Sequence, residues 1–336
     1  MLRITESESL LPHNTFGMDV RAAHFAEYDT AEDLVQALPE FRTAPWWHIG
    51  RGSNLLFTGD YPGWVLHSRI VGIETLADDG TDVLLRVGAG EVWDDVVDWA
   101  VGHGLYGAEN LSLIPGEVGA AAVQNIGAYG VEAADLIRGV ETVDVTNGTA
   151  RLFRPEECRY GYRASIFKTE EVKRRYVVTH VRLALTRRPM LRLDYKGLRE
   201  ALPSDTAPTL SEVRDAIVRI RRAKLPDPAE LGNAGSFFKN PVVSPTQFAA
   251  LQAAHPDVPH YPAPDGLVKV PAGWLIEQCG WRGRRIGAAG VYDRQCLVLV
   301  NHGGATPRMV LDLCQAIVRS VRERFGIDIH PEVNIL

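Results

Sequence analysis

The segment that most restricts this chain is residues 115–130, PGEVGAAAVQNIGAYG, in which eight of sixteen positions are glycine or alanine. A flexible linker of that kind carries serine and charge, whereas this one carries Gln124, Asn125 and Tyr129. Small residues in an ordered loop leave space for something to lie flat against the backbone. Close packing of a helix on a strand is the competing explanation, and it accounts for the alanines but not for Gln124, Asn125 or Tyr129. A second glycine turn, Ile49-Gly50-Arg51-Gly52-Ser53-Asn54-Leu55, follows a run that reads as a strand. Glycine permits backbone conformations that aim several N–H groups at one anion. The turn is not a Rossmann fingerprint, because a second strand rather than a helix follows and the third glycine is missing. Taken alone, a tight hairpin explains it. Taken with 115–130, it suits a dinucleotide whose pyrophosphate rests on one segment and whose rings run along the other.

A chain of 336 residues is longer than one hydrophobic core organises, so two or three domains are expected. A net charge of -6 argues against a nucleic-acid binder, which needs clustered Lys and Arg. The first twenty residues show no basic start followed by an apolar core, and no apolar run reaches the ~18 residues of a membrane span. A cytoplasmic protein without membrane insertion is expected. Cys158, Cys279, Cys296 and Cys314 are scattered, without ligand spacing, which suits reduced structural thiols and no metal.

Short strands are expected at 46–49, 55–57 and 64–67. The next block opens with a strand at 83–87, after which Trp93, Val96, Val97, Ala100 and Val101 recur at helical spacing up to Gly102 and Gly104. Strands follow at 140–145 and 176–185, making this half α+β. A proline-bearing stretch, 202–208, precedes a helix at 211–223 and marks a domain boundary. The spacing of Val310, Leu313, Cys314, Ile317, Val318, Val321 and Phe325 predicts a core-facing helix over 307–325, with Pro307 in its first turn and Gly326 past its end. The stretch from Ile327 to Val333 reads as a terminal strand.

Seven strings carry a resemblance to a known family: GRGSNLL at 50–56, IPGEVGAAAVQNIGAYGVE at 114–132, CRYGYRASIFK at 158–168, KLPDP at 224–228, GNAGSFFKNP at 232–241, AGWLIEQCG at 272–280 and PEV at 331–333. In this order they resemble the UDP-N-acetylenolpyruvoylglucosamine reductase (MurB) family, from Asn14-Thr15-Phe16-Gly17 to Glu332. The resemblance implies an α+β fold: a two-lobed FAD-binding domain of the vanillyl-alcohol oxidase/PCMH type plus a separate α/β substrate-binding domain. It places the lobes at 1–70 and 71–210, the substrate domain at 211–325 and a C-terminal strand contributing to the active site at 326–336. It implies FAD held by Gly50, Arg51, Gly52, Ser53, Asn54 and Leu55, by Pro115, Gly116, Gly119, Ala120, Gln124, Asn125, Gly127, Ala128, Tyr129 and Gly130, and by Arg221. NADPH is the implied electron donor and UDP-N-acetylmuramate the product, in peptidoglycan precursor synthesis, and the enzyme is expected to be a monomer. Two positions depart from the family pattern: Ala122, where proline is frequent, and Glu117, where a small or neutral residue stands. A carboxylate near the flavin pyrophosphate is repelled unless it turns away or meets a cation.

Reducing an enolpyruvyl ether places negative charge on the carbon that bears the carboxylate, so the enzyme must stabilise and protonate that carbon. Arg163 has a planar fork that suits a carboxylate, although a surface ion pair is the commonest fate of an arginine. Glu332 by itself reads as an acidic residue on a tail, and Ser236 as a turn or helix-cap serine. The resemblance makes Arg163 the anion stabiliser, Glu332 an acid or an orienter of Arg163, and Ser236 the proton donor. It places Tyr129, Tyr195, Lys224, Asn240 and Gln295 around the nucleotide sugar, with Tyr195 resembling the capping tyrosine of the type I branch. Another FAD-dependent oxidoreductase of the same fold and a catalytically silent nucleotide-sugar-binding regulator are the rival readings. GNAGSFFKNP speaks against the first, and the set Arg163, Ser236 and Glu332 against the second.

Overall fold

The computed structural model describes residues 1–195, 197–203 and 206–336; Lys196, Ser204 and Asp205 lie outside the described residues. The stretch 202–208, read as a domain boundary, is therefore described only in part. Backbone contacts divide the chain into two compact units, Met1–Glu8 with Arg21–Arg51 and Tyr61–Arg221, and Ser9–Val20 with Gly52–Asp60 and Arg222–Leu336. Among the described residues no helix is long and apolar enough to cross a membrane.

The first unit contains two sheets. One is ordered Arg3–Ser9, Arg21–Tyr28, Tyr61–Ser68, Trp46–Ile49, and the latter three strands run parallel. Helix Ala31–Phe41 starts at a capping box, in which the Thr30 side chain accepts from Asp33 and Asp33 caps Thr30 in return, satisfying N–H groups that have no partner within the helix. It buries Leu34, Ala37, Leu38 and Phe41 against Ala26 and Leu66 of that sheet. The other sheet is antiparallel, ordered Thr149–Phe153, Ile137–Asp144, Tyr176–Thr186, Asp82–Gly88, Ile73–Asp78. Val181, Leu183 and Leu185 alternate inward along its central strand, as a half-buried strand requires. Helix Trp93–Gly102 covers the sheet with Trp93, Val96, Val97 and Ala100. Val143 and Val177 join the core of the first sheet, so the two sheets share apolar packing.

Asp144 shows how tightly the second sheet is finished. Its carboxylate accepts from Arg175 at 2.9 Å and from the Thr146 hydroxyl at 2.6 Å. Burial alone would raise its pKa, but Arg175 and Thr146 hold it down at about 2. A depressed carboxylate stabilises the fold above its ordinary pKa and loses that contribution as pH falls through the depressed value. Asp144→Asn is therefore expected to cost about 1–2 kcal/mol near neutral pH, discounted because Arg175 is half exposed. Urea titrations at stepwise lower pH check it, because the gap between variant and parent must shrink in the acid range.

The second unit carries an antiparallel sheet ordered Gly232–Ser236, Val298–Asn301, Ala289–Val291, Arg285–Ile286. Helix Pro307–Phe325 buries Val310, Leu313, Cys314, Ile317 and Val321. Thr306 caps its start, Pro307 occupies the first turn, and Gly326 ends it in the left-handed conformation at φ 64°. All four cysteines are free, and burial pushes the thiols of Cys158 and Cys314 up to about 11 and about 12.

Three local expectations change. The small-residue segment is not a loop throughout, because Val118–Gln124 is a helix. A Cβ on Gly119 would lie 2.8 Å from that of Ala89, and Ala121 and Ala122 are buried, so close packing explains these three residues. The turn at 50–55 is not a hairpin: Trp46–Ile49 pairs with Tyr61–Ser68, whereas Leu55–Leu56 pairs with Asn334–Ile335. The terminal strand is confined to Asn334–Ile335. Upstream, Ile327, Ile329 and Val333 are buried in alternation, yet among the described residues only Pro331 forms a bridge, to Phe238. The bonds on either side of it run from Glu332 N to Phe237 O at 2.7 Å and from Lys239 N to His330 O at 3.0 Å, and the ladder goes no further there because Phe237 N donates to Leu297 O instead.

Candidate active site

In the first unit the candidate residues gather around the turn 161–164. Gly161 and Ala164 exchange N–H···O=C bonds of 3.0 Å each, and Arg163 between them sits at φ 52°. A left-handed arginine costs backbone energy and persists only where its surroundings over-determine it. Its guanidinium donates to the carbonyls of Asn125 at 3.2 Å and Gly127 at 2.7 Å, while Lys168 Nζ donates to its own carbonyl at 3.0 Å. Asn125, fully buried and left-handed at φ 49°, donates to Gly161 O and Glu132 and accepts from Ala134 N. The Asn125 side chain thus ties the arginine turn to its neighbours. Gln124 accepts from Lys168 at 2.5 Å.

Tyr129 and Tyr195 meet edge to face, with ring centroids 5.1 Å apart. Asn110, fully buried, donates to the carbonyls of both Tyr129 and Arg192, and Arg192 pairs with Asp135 at 2.8 Å. The segment carrying Tyr195 is thereby fastened to the turn carrying Tyr129. Arg221 donates from Nε to Leu113 O at 3.3 Å. Burial draws its pKa down, against the opposing pull of Tyr129 and Asp94, and Arg163 lies close enough to lower it further. Arg163, Arg221, Tyr129 and Tyr195 therefore form one cationic, aromatic cluster, suited to an anionic ligand with a flat face.

Glu117 meets a histidine. Its Oε1 lies 3.0 Å from His67 Nε2, and a Cβ added to Gly50 would lie 3.0 Å from its Oε2. Among the described residues no acceptor meets the N–H groups of Gly50 or Arg51, so this turn retains donors for an anion. The turn fits a dinucleotide phosphate, provided that the charge of Glu117 is balanced.

In the second unit Ser236 ends strand Gly232–Ser236 and pairs with Val298, so it is not a helix cap. Gly235 before it stands at φ 67° and donates to the Asn233 side chain at 2.9 Å. Ser236 is half-buried, and its hydroxyl makes no hydrogen bond among the described residues. Glu332 is likewise half-buried and not on a free tail: its N–H donates to Phe237 O at 2.7 Å, one residue beyond Ser236. Asn240 Oδ1 accepts from Ala272 N at 2.9 Å and so caps helix Ala272–Gln278, while Gln295 accepts from Leu297 N at 3.3 Å. Lys224 ends helix Leu210–Lys224, exposed. Gly52, Ser53, Asn54 and Leu55 belong to this unit, whereas Gly50, Arg51 and the segment 115–130 belong to the first. Reading the sequence passed over His67, Asn110 and Asn301. The last is a buried asparagine that donates to Phe16 O at 3.0 Å. No local pattern singles out such residues, because their partners lie far away in the chain.

The comparisons with known proteins fit this layout. The FAD binding domain family matches residues 22–153, which places the chain among the flavoproteins. The family UDP-N-acetylenolpyruvoylglucosamine reductase, C-terminal domain, matches residues 227–336. UDP-N-acetylenolpyruvoylglucosamine reductase of Bacteroides fragilis (strain YCH46) is 54% identical over 98% of both chains. The protein of the same name from Chromobacterium violaceum is 51% identical over 100% of this chain and 99% of its own. The crystal structure of the reductase (MurB) from Thermus caldophilus, 26% identical, covers 100% of this chain and 99% of its own at a TM-score of 0.68. The chain belongs to the UDP-N-acetylenolpyruvoylglucosamine reductase family.

Proposed function

We propose that this chain reduces the enolpyruvyl double bond of UDP-N-acetylglucosamine enolpyruvate to give UDP-N-acetylmuramate, with electrons from NADPH. It acts as a cytoplasmic monomer in peptidoglycan precursor synthesis. The observation that carries the reading is the 54% identity over 98% of both chains with a reductase of that name. Residues 1–70 and 71–210 serve as the two flavin lobes, with the glycine segments and Arg221 holding the cofactor. Residues 211–325 bind the nucleotide sugar through Lys224, Asn240 and Gln295, together with Tyr129 and Tyr195, and 326–336 contribute Glu332. FAD, when bound, supplies the hydride that adds to the terminal alkene carbon, since no amino-acid side chain donates one.

The remaining work belongs to the chain. Arg163, its fork held by two carbonyls, takes the substrate carboxylate in paired hydrogen bonds, and so spreads the charge developing on the adjacent carbon. Glu332 orients or supports that charge. The Ser236 hydroxyl gives its proton to the carbon and recovers one from solvent. Serine is a weak acid, so this role requires a strongly basic carbanion.

Rapid-mixing spectroscopy in the absence of oxygen tests the reading. NADPH is expected to bleach the oxidised-flavin band, and UDP-N-acetylglucosamine enolpyruvate is expected to restore it, with ping-pong kinetics at steady state. A purified protein that neither carries nor takes up flavin, or whose reduced flavin ignores that substrate, sinks it.

A further inference from the structure

Three ionisable side chains of the first unit that play no part in this chemistry stand in line at the Gly50 turn. Glu27 and His67 face each other as partners on neighbouring parallel strands, and Glu117 immediately precedes helix Val118–Gln124. His67 Nδ1 lies 3.1 Å from Glu27 Oε1, and His67 Nε2 lies 3.0 Å from Glu117 Oε1. The two carboxylates are 8% and 6% exposed. Glu27 Oε2 in turn accepts from Arg3 at 2.9 Å, and Arg3 also approaches Glu8 at 3.5 Å. The signs alternate from Arg3 to Glu117.

A neutral imidazole has one N–H and one lone pair, so it can donate to only one of these carboxylates and would turn its lone pair on the other. The imidazolium satisfies both. Burial alone would lower the His67 pKa, but the hydrogen bonds and charges of Glu117 and Glu27 raise it above its ordinary range. The other titratable neighbours add little charge. Burial pushes His48 down to about 3, and Tyr28, bonded to His48 at 2.7 Å, is held neutral by burial. Arg69 pairs with Asp29 at 3.8 Å and assists Glu27 from a distance.

Glu117 Oε2, the oxygen turned toward Gly50, has no hydrogen-bond partner among the described residues. The carboxylate therefore sits against a turn whose N–H groups suit a phosphate. We propose that His67 is a positioning residue for the dinucleotide: clamped between Glu27 and Glu117, it holds Glu117 against the Gly50 turn and cancels its charge there, so that the turn accepts an anionic phosphate. The inference rests on the flavin reading above. A raised histidine contributes fully below its ordinary pKa and loses that contribution as pH rises through the folded value, so flavin retention should weaken in alkaline solution.

The experiment is titration of apoprotein with FAD, read by flavin fluorescence, from about pH 6 to about pH 9, with circular dichroism as a check on the fold. Parent affinity is expected to fall across this range. His67→Gln should weaken binding at least about tenfold at the acid end and remove the slope. Glu117→Gln, which deletes the carboxylate instead of its counter-charge, should stay within about threefold of the parent at the acid end and flatten the alkaline fall. The double variant should bind better than His67→Gln alone, an outcome that a purely structural role does not produce. A parent that fails to bind FAD overturns the flavin reading itself. A parent that binds while Glu117→Gln keeps the parental slope, or a double variant no better than His67→Gln, overturns the role of His67 and leaves the flavin reading standing.

Discussion

Replacing Ser236 by alanine is expected to slow the substrate half-reaction about 10²- to 10⁴-fold, while NADPH reduces the bound flavin at the parental rate. The size follows from the proposed role of the hydroxyl as proton donor. The selectivity follows from its surroundings. Ser236 Oγ makes no hydrogen bond among the described residues, so its removal leaves no buried group unpaired. The strand end is held by its neighbour instead: Phe237 N donates to Leu297 O at 2.7 Å, and Phe237 O accepts from Glu332 N at 2.7 Å. Alanine fits the same half-buried strand position, and thermal stability should change by less than about 0.5 kcal/mol. Separate rapid-mixing measurements of the two half-reactions decide the matter. Equal slowing of both would remove Ser236 from proton delivery and assign the loss to a displaced strand.

Helix Pro307–Phe325 was legible because apolar period, first-turn proline and terminal glycine all agree. Helix Trp93–Gly102 and the strand Tyr176–Thr186 were legible for the same kind of reason: the apolar residues alternate or recur at the right spacing. Helix Val118–Gln124 was not, since a Gly-Ala-Ala-Ala run has no apolar face to read and glycine weakens a helix. It is the packing of Gly119 on Ala89 that fixes it. The terminal segment misled for the opposite reason. Ile327, Ile329 and Val333 do point inward alternately, but alternation reports burial and not hydrogen bonding, and Phe237 N, which would carry the pairing on, donates to Leu297 O. In the candidate site, resemblance supplied Arg163, Ser236 and Glu332. What it does not show is how Arg163 is held, left-handed with its fork on two carbonyls. His67 was invisible, since its carboxylate partners are 40 and 50 residues away along the chain and a lone histidine in a strand carries no motif.

Gly52→Ala is expected to destabilise the second unit by about 3 kcal/mol or more, lowering the melting temperature by about 6 °C or more. Gly52 stands at φ 67°, where an L side chain is strained, and an added Cβ would lie 2.1 Å from His13 O and 2.6 Å from Asn14 Cα. Neither contact is with the end of a flexible side chain, so backbone must move. Asn14 resists that movement, because its buried side chain donates to Leu10 O and Met18 O and accepts from Met18 N. The adjoining residue transmits the strain. Thr15 N donates to Gly52 O at 3.3 Å, Thr15 Oγ1 donates to Asn233 O at 2.6 Å, and Asn233 N donates to Thr15 O at 3.0 Å. Gly232 lies so close to Phe16 that its own Cβ would come within 2.6 Å of Phe16 O. The glycine turn is thus coupled through residues 13–17 to the strand that ends in Ser236, and the substitution should depress the substrate half-reaction as well as stability. Melting curves and single-turnover rates on the same preparation test both consequences. A variant that melts within about 2 °C of the parent would show that the turn at Gly52 yields without disturbing its neighbours, and the proposed coupling to Ser236 would have no physical basis.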